Sequence, residues 1–224
     1  MNSTAKLPMQ LSDITTRLPD WRPQVIFDVG ANVGQTASSF AAAFPDAAIH
    51  AFEPVPAAFR KLAAVAEANP GVTAHNLALG KTRGTATMVA KGASTANHLA
   101  TEADPTEHLV EVQMTTGADM AAELGIDRIS LLKIDTEGHD FDVLIGFSPI
   151  LSRTDFVQIE ASMNPYNRTH VPFRLLEDFL RHEGFLLFRF YEQTFEFKKQ
   201  GRPVLRRTNP VFIHGSLVDL SGIR

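Results

Sequence analysis

"VIFDVGANVGQT", residues 25–36, opens as a buried strand with three apolar residues, then places Asp28 ahead of Gly30, Asn32 and Gly34 and a helix-forming stretch. A carboxylate at the end of an apolar strand, followed by glycines where strand must become helix, marks a ligand turn. The spacing is G-x-x-x-G. A nicotinamide dinucleotide turn wants G-x-G-x-x-G, and the place of its second glycine is taken by Asn32. A side chain there obstructs the close backbone approach that a pyrophosphate needs. The helix start also lacks the Lys-Ser/Thr of a phosphate-binding loop.

Outward from that turn, apolar runs alternate with helical stretches. "AIHAFEP" reads as a second strand, and "PAAFRKLAAVAEANPG" as a helix, with Phe59, Leu62, Ala63 and Ala66 at helical spacing and Pro56 early. "VTAHNLAL" reads as a third strand. "GTATMVA" and "EHLVEVQMT" then read as an antiparallel insertion joined by the polar stretch "KGASTANHLATEADPT". A short helix over 117–124, the strand "ISLLKID" and a helix from about Asp140 follow. "DFVQIEA" is another strand, 172–183 another helix, and "FLLFRFYE" and "PVFIHGSL" a late strand pair. Nearly continuous apolar strands alternating with helices predict an α/β fold, a parallel sheet covered on both faces. Residues 1–24 read as an N-terminal cap with helical spacing at Leu11, Ile14 and Leu18, ahead of a single domain over 25–224.

Ligands of such sheets sit at the carboxyl ends of the strands. That rule selects Asp28, Glu53, Asn76, Asp135 and Glu160, each at a predicted strand end. Asp28 suits a cation near the turn, an amino group or a sulfonium. Glu53 lies near the ~20-residue offset of an acid that binds ribose hydroxyls. A ribose, a cation and no demanding phosphate together point to S-adenosylmethionine. Asn32 either meets that cofactor or braces the turn.

"DVGANVGQT", "AFEPVPAAF", "NLALG", "LLKIDTEGHDFDVLIG" and "VQIEAS" stand in the order and approximate spacing of the FkbM-type methyltransferases, which this sequence resembles over residues 24–214. The resemblance implies a class I, Rossmann-like methyltransferase fold: a seven-stranded, mostly parallel sheet with one antiparallel strand, and methyl transfer usually to oxygen. It makes Asp28, Gly30, Asn32, Gly34 and Glu53 cofactor-binding residues and puts Asn76 and Leu77 near the adenine.

In "LLKIDTEGHD", Asp135, Glu137 and His139 alternate, which would gather three metal ligands on one side if the strand continued. Gly138 argues that it stops, so no metal is assigned and a metal-independent reaction is expected; Glu137 and Asp140 also suit a helix amino terminus. Methyl transfer needs alignment, exclusion of water and a group that takes a proton. His139 is the candidate base, with Asp135 and Glu160 orienting the acceptor; Lys133 is expected to pair with a carboxylate. The loop "EASMNPYNRTHVPF" offers Asn164, Asn167, Arg168 and His170, and "RRTN" adds Asn209. Asn164, Arg168 and Asn209 are taken as acceptor contacts, suited to a small polyhydroxylated molecule or a glycan.

The chain has 224 residues, 44% of them hydrophobic and 21% charged, a net charge of −4 and no cysteine. Disulfides, thiolate metal sites and a cysteine nucleophile are excluded, and a general attraction to nucleic acid is not expected. "KKQGRPVLRR", 198–207, carries five positive residues and no acid, and reads as a solvated hairpin or an anion contact. The start lacks the apolar core of a signal peptide and no run reaches the ~18–20 residues of a membrane span, so a cytoplasmic protein is expected, with a homodimer compatible. Three alternatives remain open: a divalent-metal-dependent methyltransferase, a nicotinamide oxidoreductase, and a cofactor-binding protein without catalysis.

Overall fold

In the computed structural model, residues 8–90, 98–100, 108–167, 170–196 and 204–221 are described. In chain order the elements are α1 (Met9–Arg17), β1 (Val25–Val29), α2 (Gln35–Ala43), β2 (Ala48–Phe52), α3 (Pro56–Ala68), β3 (Val72–His75) and β4 (Ala78–Gly80). There follow β5 (Gly84–Val89), β6 (His98–Leu99), β7 (Leu109–Thr116), α4 (Gly117–Glu123), β8 (Ile129–Ile134), α5 (Asp140–Gly146) and α6 (Ser148–Leu151). The chain closes with β9 (Thr154–Ile159), β10 (Ala161–Ser162), α7 (Phe173–His182), β11 (Phe185–Glu196) and β12 (Val204–His214).

The main sheet runs β3-β2-β1-β8-β9-β12-β11. Its strands are parallel except β12, which lies antiparallel between β9 and β11. The two-residue β10 joins β12 and brings the sheet, among the described residues, to eight strands, one more than the resemblance implies. Period-two alternation along the central strands sorts the core onto two faces. Ile26, Leu131 and Phe156 pack with Leu11, Ile14, Phe40 and Leu62 on one side. Phe27, Leu132 and Val157 pack with Leu144, Phe147, Leu176 and Leu180 on the other. Every residue of β8 and β9 is buried, as double coverage requires. The first face includes the amino-terminal segment: α1 buries Leu11 and Ile14 completely, and Trp21 Nε1 donates to Asp155 Oδ2 at 2.9 Å.

Three sequence expectations are adjusted. "VTAHNLAL" is not one strand: it breaks at Asn76–Leu77, β3 staying in the main sheet and β4 pairing in parallel with β7 of the insertion. "ISLLKID" ends as a strand at Ile134, although the Asp135 N–H still donates to Val29 O at 3.0 Å. The insertion is a second sheet, β4-β7-β5-β6, whose β6 arises within the polar stretch expected to be a connection. Among the described residues no helix is long and apolar enough to cross a membrane.

Candidate functional site

A pocket opens at the carboxyl ends of β1, β2 and β8, with Gly30, Asn32, Glu53, Leu77, Asp135 and His139 on its wall. The β1–α2 turn that floors it has three left-handed residues, Gly30 (φ 77°), Asn32 (φ 48°) and Gly34 (φ 88°). Gly30 and Ala31 both donate their N–H groups to Phe52 O, at 3.1 and 3.0 Å, so the turn is stitched to the end of β2. Glu53 completes that seam. Its Oε2 accepts the Asn32 N–H at 3.0 Å and its Oε1 the Val55 N–H at 2.8 Å. Burial raises the Glu53 pKa, the two backbone hydrogen bonds hold it down in part, and the nearby Asp28 charge adds to the rise. Each carboxylate oxygen keeps a lone pair for a ligand diol.

The arrangement changes the role expected of Asp28. Its side chain is fully enclosed, and Lys133 Nζ donates to its Oδ1 at 2.9 Å. It therefore presents no carboxylate to the pocket. The same ammonium lies 3.5 Å from Asp135 Oδ2, and the Asp135 side chain is 43% exposed. Burial alone would lower the Lys133 pKa; the Asp28 and Asp135 charges and hydrogen bonds outweigh it and raise it. The pairing expected for Lys133 is thus with two carboxylates. Asp135 is the acid that a cationic ligand would meet. Gly34 sits off the pocket wall, and a methyl group added there would meet Leu62 and Val65 of α3. Asn76 also stands behind the wall: its amide donates to Glu53 O and Pro54 O, while Leu77 lines the pocket. Among the described residues, buried Asn32 Oδ1 has no hydrogen-bond partner. An orphaned acceptor beside Glu53 and Asp135 is what a bound polar ligand would satisfy.

At the β8–α5 turn the sequence alternation of Asp135, Glu137 and His139 is undone. Glu137 (φ 53°) and Gly138 (φ 100°) take left-handed conformations, and Asp140 Oδ1 ties the turn by accepting from Thr136 N and Oγ1 at 2.7 and 2.8 Å. The two side chains consequently meet different partners. His139 Nε2 lies 3.3 Å from Asp142 Oδ2, and Lys81, just past β4, pairs with the same carboxylate. Burial lowers the His139 pKa, with Asp142 opposing.

Glu137 instead joins Glu160 and His170, each offering a donor atom within 4.8 Å of the others. Glu160 is 5% exposed; its Oε1 meets the Arg207 guanidinium and its Oε2 lies 3.2 Å from His170 Nδ1. Arg207 belongs to the basic run read as a solvated hairpin or an anion contact; its membership of β12 turns it to this cluster. His98, on β6, is near enough for its charge to favour the Glu137 anion. No residue pattern marked it. The expected acceptor contacts scatter. Asn164 is buried, accepting from Ser162 Oγ at its carbonyl and from the Tyr166 N–H at Oδ1, while Asn209 Nδ2 donates to Glu192 Oε2 at 2.6 Å. Arg168 lies outside the described residues.

Residues 28–187 match the model of the Methyltransferase FkbM domain. The chain is 30% identical over 142 residues to Methyltransferase 1 of Beauveria bassiana, covering 54% of this chain and 57% of that protein. It is 27% identical over 147 residues to the hexuronic acid methyltransferase AglP of Haloferax volcanii, covering 65% of this chain and 59% of that protein. It thus spans under two thirds of either relative. The Methanococcus jannaschii fibrillarin pre-rRNA processing protein aligns with a TM-score of 0.50 at 13% identity, over 87% of this chain and 67% of that one. An uncharacterised Listeria monocytogenes protein aligns with a TM-score of 0.52 at 11% identity, over 93% and 68%. At such identity these two likenesses concern the fold alone.

Proposed function

This chain belongs to the FkbM methyltransferase family and has the class I methyltransferase fold, and on that premise we propose that it transfers a methyl group from S-adenosylmethionine to a hydroxyl of a small polyhydroxylated molecule or glycan. The observation that carries the reading is the wall formed by Glu53, Asn32 and Asp135. It offers a carboxylate for a ribose diol, an unsatisfied amide oxygen and an exposed carboxylate for a cation. When bound, the cofactor supplies a methyl carbon already made electrophilic by its sulfonium. The protein then has to align the acceptor oxygen, exclude water and hold the departing proton. Glu53 would hold the ribose, Asp135 the cationic end, and Leu77 the apolar face of the base. The hexuronic acid methyltransferase among the relatives supports a sugar-like acceptor.

Isothermal calorimetry tests the cofactor. S-adenosylmethionine and S-adenosylhomocysteine are expected to bind, and nicotinamide dinucleotides not to. Glu53→Gln should weaken binding by ~1.5–3 kcal/mol, roughly 10- to 150-fold, as for a lost charge-assisted hydrogen bond. An unchanged Kd would place Glu53 outside the site, and tight binding of a nicotinamide dinucleotide alone would overturn the reading.

A divalent-metal-dependent version is the second reading, favoured by the close donors of Glu137, Glu160 and His170. The Arg207 guanidinium on Glu160 weighs against it, since that carboxylate already has its cation. Methyl transfer assayed after chelation decides: full activity is expected, and loss restored by magnesium would promote the metal reading.

A further inference from the structure

We propose that Glu160, His170 and Arg207, reached past Glu137, form the acceptor subsite, and that His170 rather than His139 takes the proton of the acceptor hydroxyl. This rests on the methyl-transfer reading and adds to it the residue that acts on the acceptor.

Position comes first. Glu137 lies both on the cofactor pocket wall and within reach of the Glu160 and His170 donors, so the cluster is one side chain beyond that wall. Four segments build it: the β8–α5 turn gives Glu137, the residue after β9 is Glu160, the loop ahead of α7 gives His170, and β12 gives Arg207. Two of its members are deeply buried, Glu160 at 5% and His170 at 7% exposure. Buried charge and buried imidazole placed together at the mouth of a parallel sheet are costly to keep unless they serve a ligand.

Roles follow from partners. Glu160 already pairs with Arg207, which suits it to orienting a hydroxyl rather than taking its proton. His170 turns Nδ1 toward Glu160 Oε2, a close electrostatic contact rather than an aligned hydrogen bond. A carboxylate favours the N–H on the nitrogen that faces it, which leaves the lone pair on Nε2. The groups around His170 are Glu160 after β9, Asp135 and Asp140 from the β8–α5 region, Glu137, and Arg206 of β12. Burial lowers the His170 pKa; Arg206 assists, while Asp140 and Asp135 oppose. The lowered pKa favours the neutral ring, which is the form able to accept a proton. His139, by contrast, is engaged with Asp142 toward β4.

The step balances. The acceptor oxygen bonds to the methyl carbon as the methyl–sulfur bond breaks, and that electron pair stays on sulfur. The hydroxyl proton passes to His170 Nε2, so the positive charge leaving the sulfonium reappears on an imidazolium beside the Glu160 anion.

Two measurements on the full chain test this. Nitrogen NMR of the histidines needs no acceptor: at pH 7 His170 should be neutral and carry its proton on Nδ1, with a pKa below the ordinary ~6.5. Glu160→Gln should lower that pKa further, a response a merely structural pair without charge coupling would not give. Labelled-methyl transfer to a panel of glucose, glucuronate and their methyl glycosides gives the second readout. His170→Gln and His170→Ala should each lose ~10²–10⁴ in turnover, the usual worth of a positioned base. S-adenosylhomocysteine affinity should stay within about twofold and the acid limb of the rate profile should disappear. The neutral ring is the active form, so the parent rate should fall as pH drops through the His170 pKa and stay flat above it. His139→Ala, on the cofactor pocket wall, should keep the acid limb of the rate profile whatever it costs in cofactor affinity. An Nε2–H or charged ring at pH 7, or a His170→Gln enzyme with parental rate, overturns the assignment. A loss confined to His139→Ala does the same. A panel with no methylated member would instead count against a polyhydroxylated acceptor, and the NMR result would still decide His170.

Discussion

Lys133→Met is expected to destabilise the protein by about 3–5 kcal/mol, the range found when one partner of a buried ion pair is removed. Lys133 is 7% exposed and Asp28 0%, so the substitution leaves a carboxylate sealed in the sheet without a counter-charge. Among the described residues Asp28 Oδ2 already has no hydrogen-bond partner, so none of them offers the remaining carboxylate another donor. The loss should appear as a lower urea midpoint at unchanged slope. Removing both charges, as Asp28→Leu with Lys133→Met, should recover most of it, because a well-packed apolar pair avoids the desolvation cost. A single substitution costing less than about 1 kcal/mol would mean that water reaches Asp28 after all, contrary to its complete burial. The double variant separates stability from function as well. Asp135 would lose its neighbouring ammonium, so cofactor affinity should change even where stability returns.

Gly30→Ala is the second large effect, and it should fall on the site itself. A methyl group at Gly30 would stand 1.9 Å from the Asp135 carbonyl oxygen, and the residue has φ +77°. The backbone conformation alone costs on the order of 1–2 kcal/mol for a non-glycine residue. The clash is with main chain, so it cannot be relieved by a rotamer change; the β1–α2 turn and the β8–α5 turn must move apart. Those two turns carry Asn32 and Asp135, so cofactor affinity is expected to fall by ~100-fold or more, about 2.7 kcal/mol. Gly34→Ala is the control. It shares the positive φ, but its nearest contacts are the Leu62 and Val65 side chains at 3.0–3.2 Å, which can yield. Its loss should stay near ~1–2 kcal/mol of stability, with little change in affinity. Equal affinities for the two variants would refute the close approach of the two turns.

The sequence by itself determined the sheet and the place of the pocket. Strands such as "VIFDV" and "ISLLKI" carry their own burial pattern, and polar residues at their carboxyl ends advertise the open edge. Those signals are local, written within a few residues of chain. Gly138 likewise announced, from its own conformational freedom, that the Asp135–His139 alternation would not hold. Local pattern could not say where the diverted side chains go. That depends on Asp140 closing the turn on Thr136 and on which elements lie alongside, Asp142 and Lys81 for His139, Glu160 and His170 for Glu137. Asp28 was legible as a strand-end acid; that Lys133 would claim it from the pocket follows only from the parallel register in which the two residues are neighbours. Arg207 was legible as one charge of a basic run, yet its pairing with Glu160 comes from β12 lying antiparallel beside β9 and β10. Periodicity and burial propensity act between near neighbours in the chain, and so they fix elements. The identity of a charged group's partner is set by strand order and register, which belong to the whole sheet, and only the assembled structure holds that information.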